Sequence, residues 1–126
     1  MKKIVFLVSV LVFISCKKES EESFGKPETT TEVQKPEELG EAIFNGKGAC
    51  VACHKPDVKL IGPSLQDLAK IYKEKNGDMV SFFKGEGEAI VDPTQYEVMK
   101  PNLELTKTFS DEELKALEAY VYSHLK

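Results

Sequence analysis

The run Cys50-Val51-Ala52-Cys53-His54 places two thiols and an imidazole within one turn of chain. Side chains of these types at this spacing can bind a metal, exchange thiol for disulfide, or hold a haem. A structural zinc site needs four ligands, commonly two pairs of cysteine or histidine. Here three candidates are crowded in one place, and the other histidine, His124, lies at the edge of a C-terminal apolar stripe and reads as a boundary residue. A thioredoxin-like pair expects βαβ surroundings, and no alternating strand pattern occurs from Pro36 onward. The C-x-x-C-H spacing is also that of covalent haem attachment. Cysteines three apart can reach two vinyl groups of one haem, with the next residue placed to supply an imidazole to its iron. Thiol exchange without haem is the reading it competes with.

A second axial ligand would complete the iron, and methionine is the partner found with histidine in many covalent haem sites. Met79 has Phe82 and Phe83 at i+3 and i+4, the pattern of a residue filling a core. Met99 lies between Pro93 and Pro101, where no helical period is evident and a side chain can be aimed at a fixed point. Tyr72 and Tyr96 could reach a haem propionate, or be buried tyrosines with ordinary partners. Lys47, Lys55, Lys59, Lys100 and Lys107 fall near the two candidate ligand segments, as a basic rim or as a scatter of solvated lysines.

These residues need elements to position them, and the 126-residue chain has room for one domain. Residues 1–15 stand apart: a basic start, "MKK", precedes a short apolar run that suits a signal sequence and is short for a membrane span. With Ser15 and Cys16 closing the run, the segment resembles a bacterial lipoprotein signal, which implies cleavage before Cys16 and lipidation of that cysteine. Residues 16–35 then form the lipidated N-terminus and a charged, Thr- and Glu-rich tether unable to bury a core. A coil of this length spans on the order of 25 Å. The chain has no arginine, and without Lys2 and Lys3 fifteen lysines face twenty-one acids, a net charge of −6. That balance argues against nucleic-acid binding.

The folded domain is expected over 36–126 and to be all-α. Pro36, Glu37 and Glu38 suit a first helical turn, Leu39, Ile43 and Phe44 give its stripe, and Gly46 or Gly48 ends it. Ser64 caps a second helix, with Asp67 at capping-box distance and Leu65, Leu68, Ile71 and Tyr72 on one face, up to Asn76–Gly77. Asp78 caps a short third helix carrying Met79, Phe82 and Phe83, and Gly85 stops it. From Glu88 to Lys107 the two prolines break any period, so a long ordered loop is expected. Ser110 and Glu113 form a capping box for the last helix, Phe109 and Leu114 a staple, and Leu114, Leu117, Val121 and Leu125 a stripe beside Tyr120.

Taken in order, residues 37–126 resemble a bacterial monohaem class I cytochrome c. Gly40 and Phe44 stand where that family's N-terminal helix crosses its C-terminal one, with Leu117 and Tyr120 at the matching places. "IGPSL" resembles the turn after the haem motif, "YEVMKPNL" the loop that delivers the distal methionine, and "FSDEELKALEAYV" the last helix. The resemblance implies four to five helices around one covalent haem c. Cys50 and Cys53 would form the thioethers, and His54 and Met99 the axial ligands. The Pro63 carbonyl would accept the His54 Nδ1 proton. It further implies an electron-transfer protein, not an enzyme, working as a monomer. Its partners would be a quinol-oxidising complex and a terminal oxidase or reductase. The lipid on Cys16 would hold it to a membrane of the bacterial cell envelope, facing the periplasm or the cell surface. A haem-based ligand sensor, or the haem subunit of a larger oxidoreductase, is the alternative.

Overall fold

The computed structural model describes residues 34–126. The expected signal, Cys16 with its expected lipid, and almost all of the expected tether therefore lie outside the described residues. Five helices follow in order: α1 (Pro36–Asn45), α2 (Leu65–Lys75), α3 (Met79–Phe83), α4 (Tyr96–Thr106) and α5 (Asp111–Tyr122). Short 3₁₀ turns span Cys50–Ala52 and Pro93–Gln95. Among the described residues there is no strand, only an isolated antiparallel bridge between His54 and Lys59. No helix among them is long and apolar enough to cross a membrane.

Local chemistry explains most helix ends. Pro36 opens α1, where its missing N–H costs nothing, and Glu37 and Glu38 lie at the positive end of the helix dipole. The Ser64 hydroxyl accepts the Asp67 N–H at 3.1 Å and donates to the Asp67 carboxylate at 2.7 Å. Asp67 thus closes on the cap side chain rather than on the cap backbone. Asn76 ends α2 in the left-handed region, φ 48°, and Gly77 N–H returns to the Tyr72 carbonyl at 2.9 Å. Asp78 caps α3 through Ser81, and Ser110 and Glu113 form a reciprocal capping box on α5.

The core is the meeting of α1 and α5, roofed by α2 and α3. Ile43 and Phe44 pack with Leu114, Leu117 and Val121, and with Leu65, Tyr72, Met79 and Phe83 from the roof. The α1–α5 crossing is close because position 40 has no side chain: a Cβ there would run into the Ala116 carbonyl and the Tyr120 side chain. One turn on, the Phe44 and Tyr120 rings meet at 5.3 Å between centroids.

One expectation fails. The segment from Glu88 to Lys107 is not a loop throughout, since its second half is α4, with Pro101 inside the helix. Pro93 opens the 3₁₀ turn that leads directly into it. Pro101 and Glu97, whose carbonyl loses the proline's missing N–H, are both exposed, so water can replace that bond. Thr106, a polar residue, occupies a buried helix position beside Leu103, which hides the apolar period. Its hydroxyl is satisfied by the Phe83 carbonyl at 2.6 Å.

Candidate haem site

The cysteine motif is shaped by the chain before it. Gly48 N–H bonds the Ile43 carbonyl at 2.8 Å, and Ala49 adopts a left-handed φ of 50°. The chain then winds through Cys50–Ala52, with Cys53 N–H and His54 N–H both on the Cys50 carbonyl at 3.1 and 2.9 Å. Both thiols are unpaired and half-buried. Burial pushes the Cys50 thiol up to about 11. A thiol kept protonated is a poor nucleophile for disulfide exchange, so burial does not prepare Cys50 as an attacking thiol.

His54 is fixed from two directions. Its Nδ1 donates to the Pro63 carbonyl at 2.7 Å, leaving Nε2 as the free ring nitrogen. Gly62 lies flat against the ring, where a Cβ would come within 2.8 Å of Nδ1 and 2.9 Å of Nε2. The turn carrying Gly62 and Pro63 is itself tied down, with Gly62 N–H on the Cys53 carbonyl and Leu65 N–H on the Lys55 carbonyl, both at 2.9 Å.

Cys50, Cys53, His54 and Met99 all line one apolar cavity, walled chiefly by Leu68, Phe82, Ile90 and Leu117. The space between these walls amounts to about 930 Å³ with the open solvent at its mouth included. Ile61 and Val98, 54% and 56% exposed, line the same cavity and carry it to the surface. Met79 borders the cavity too, but it is 2% exposed and part of the core. Met99 projects from α4 and is half-buried.

The remaining candidates sort themselves by contact. Tyr72 and Tyr96 both line the cavity, and burial, more than the neighbouring Tyr122 and Asp78, pushes the Tyr72 hydroxyl far up. His124 stands apart, bonding the Tyr120 carbonyl through Nδ1 at 2.9 Å and stacked edge-on against the Tyr120 ring. No group of three or more His, Cys, Asp and Glu residues is arranged to hold a metal ion among the described residues. Four of the five lysines are paired: Lys47 with Glu113, Lys59 with Asp92, Lys100 with Glu97 and Lys107 with Glu104. Only Lys55 has no acid within bridging distance among the described residues, which speaks against a strongly basic rim.

Gly62, Ile61, Val98 and Ile90 belong to this site and were not singled out by residue type. The Gly62–Pro63 pair just after the motif was the available signal; Ile61 and Val98 fall inside "IGPSL" and "YEVMKPNL" with no role of their own there, and Ile90 carried no signal.

An all-helical domain that turns two thiols, an imidazole and a thioether into one apolar cavity is a holder for a flat, largely apolar, metal-bearing cofactor. The sequence pattern of the family described as Cytochrome c matches residues 37–124. The chain is 31% identical over 86 residues to cytochrome c-551 of Pseudomonas aeruginosa, covering 66% of this chain and 74% of that one. It is 30% identical over 76 residues to cytochrome c-552 of Nitrosomonas europaea, covering 60% and 69%. With cytochrome c-551 of Pseudomonas denitrificans it shares 54% identity over 33 residues, 26% of this chain and only 39% of that protein's length. The chain belongs to the cytochrome c family, and its cofactor is one covalently bound haem c.

The residues present fit that group. The thiols are free, the imidazole offers Nε2 with Nδ1 already satisfied, the wall is apolar, and position 62 carries no side chain to displace the ring.

Proposed function

We propose that the protein is a one-electron carrier. Cys50 and Cys53 hold the haem through thioethers, and His54 Nε2 and the Met99 sulfur fill the two axial positions. Haem ligated in this way supplies one reversible electron at its iron. One observation carries the reading: the imidazole is oriented by Pro63 in the same cavity that Met99 lines from α4. The Pro63 carbonyl keeps the proton on Nδ1, which fixes the tautomer and makes Nε2 a stronger donor. Leu68, Phe82 and Leu117 exclude water, so a net charge inside is penalised and the reduced state favoured. Ile61 and Val98 mark where the site reaches the surface, and where an electron has the shortest path to a partner.

The setting of this carrier follows from the N-terminal residues. A lipid on Cys16 and the tether over 17–35 hold a monomeric domain (36–126) near a membrane of the bacterial cell envelope, facing the periplasm or cell surface. It collects electrons from a quinol-oxidising complex and passes them to a terminal oxidase or reductase. Cys16→Ser should move the protein from the membrane to the soluble fraction, and unchanged fractionation would count against the tether.

Two measurements on the holoprotein test the carrier itself. A redox titration should follow a reversible one-electron curve, and the reduced protein should leave added carbon monoxide unbound. Ready carbon monoxide binding would replace the carrier with a ligand sensor.

A further inference from the structure

Among the described residues, a single ion pair joins the His54 loop to the segment that leads into α4. The backbone of Lys59 is bridged to that of His54, and the Lys59 ammonium donates to Asp92 Oδ2 at 3.2 Å. Asp92 lines the cavity and precedes the 3₁₀ turn that runs into α4 and Met99. Its other oxygen accepts the Thr94 hydroxyl at 2.6 Å, and its carbonyl accepts the Gln95 N–H at 3.1 Å. The Asp92 side chain is 21% exposed, the most sheltered of the ion-paired side chains among the described residues, against 61% for Lys59.

No other pair among the described residues has this placement. Lys100–Glu97 and Lys107–Glu104 are three residues apart within α4 or at its end, Lys35–Glu38 lies at the start of α1, Lys70–Glu74 lies within α2, and Lys47 and Lys84 reach the start of α5. Apart from the Tyr96 ring, which meets Phe82 at 6.4 Å between centroids, the Met99 half of α4 lacks buried anchors, because the buried residues of that helix, Leu103 and Thr106, both follow Met99. Upstream, the same segment is held to the end of α2 by Lys75, which donates to the Ile90 carbonyl at 2.8 Å.

We propose that Lys59 and Asp92 are positioning residues whose ion pair latches the Met99 end of α4 to the His54 loop and sets how often the Met99 sulfur leaves the iron. The inference rests on the His54 and Met99 ligation proposed above. An exposed pair of this kind is modest in strength and weakened by salt. The latch therefore tunes an equilibrium and does not carry the fold.

Imidazole titration of the oxidised, full-chain holoprotein reads that equilibrium. A ligand that binds only the methionine-released form shows an apparent affinity scaled by the population of that form. Asp92→Asn and Lys59→Gln should each tighten apparent imidazole binding about two- to five-fold at low salt. The double variant should gain no more than either single one, and the gain should shrink at high salt. Glu104→Gln, which breaks a pair at the far end of α4, should keep wild-type affinity. Wild-type affinity in both single variants, additive gains in the double, or an equal gain in Glu104→Gln overturns the latch. If the unmutated protein still shows its sulfur-to-iron absorption band, the ligation reading survives that result. An unmutated protein without the band overturns both.

Discussion

An alanine at position 62 adds one methyl group directly against the His54 ring. The new Cβ would come within 2.8 Å of Nδ1 and 2.9 Å of Nε2. Gly62 is not among the residues with positive φ, so alanine brings no backbone strain and the conflict falls on the ring. The ring atom nearest the new methyl is Cε1, closer than either nitrogen, so to regain ordinary van der Waals separation the ring must move by roughly 1 Å or more. That movement stretches and tilts the 2.7 Å bond to Pro63. The net value of such a bond is about 0.5–1.5 kcal/mol. For a one-electron couple 59 mV corresponds to a tenfold change, so losing the bond moves the potential by at most about 20–65 mV, the limit in which the bond stabilises the oxidised state alone. The shift should be upward, because an imidazole without its Nδ1 acceptor is a weaker donor and stabilises oxidised iron less. Spectroelectrochemical titration of Gly62→Ala reads the shift. Gly40→Ala serves as the contrast, since its methyl collides with the α1–α5 crossing and not with the imidazole. It should lose about 1–3 kcal/mol of stability at little cost in potential. A Gly62→Ala potential equal to wild type, or a lower one, refutes the reasoning.

Three further outcomes follow from the structure. Thr106→Val removes the buried hydroxyl on the Phe83 carbonyl and should cost about 1–2 kcal/mol, read as a lower Tm in thermal unfolding; an unchanged Tm would show that bond to be idle. Ser110→Ala breaks the α5 capping box and should cost about 1 kcal/mol, with Ser110→Asp keeping most of it; equal losses in both would rule out capping as the cause. The carboxyls of Asp78, Asp92, Asp111 and Glu113 sit below their ordinary values, held there chiefly by Ser81, Thr94 with Lys59, Lys84, and Lys47 with Ser110 respectively. Lowered acids stabilise the fold above the unfolded value of roughly 4 and lose that contribution as pH falls through the folded one. Tm should thus be level near pH 6 and fall below roughly pH 4; a level Tm down to pH 2.5 would contradict the assignment.

The helix starts were legible because capping is local: Ser64, Asp78 and Ser110 each accept an N–H three residues on. The α1–α5 crossing was legible only through family resemblance at Gly40, Phe44, Leu117 and Tyr120, since no local rule pairs the two ends of a chain. Helix α4 was hidden by Pro101, which read as a breaker, and by Thr106, a polar residue that interrupts the apolar period. In place, one faces water and the other bonds Phe83. Periodicity also cannot separate a face packed on protein from one packed on a cofactor. Leu68 and Phe82 matched the core pattern yet are half-buried and line the cavity, while the small Ala69 and Ala116 are fully packed. The Lys59–Asp92 pair spans thirty-three residues between two irregular segments, beyond any short-range pattern.

The most direct test of the central claim is the absorption spectrum of the oxidised holoprotein in three forms: unmutated, Met99→Ala and Met79→Ala. Ligation by His54 and Met99 predicts a c-type low-spin spectrum with a weak sulfur-to-iron band that survives Met79→Ala and vanishes in Met99→Ala. A band retained in Met99→Ala, or lost in Met79→Ala with Met99 intact, would contradict it.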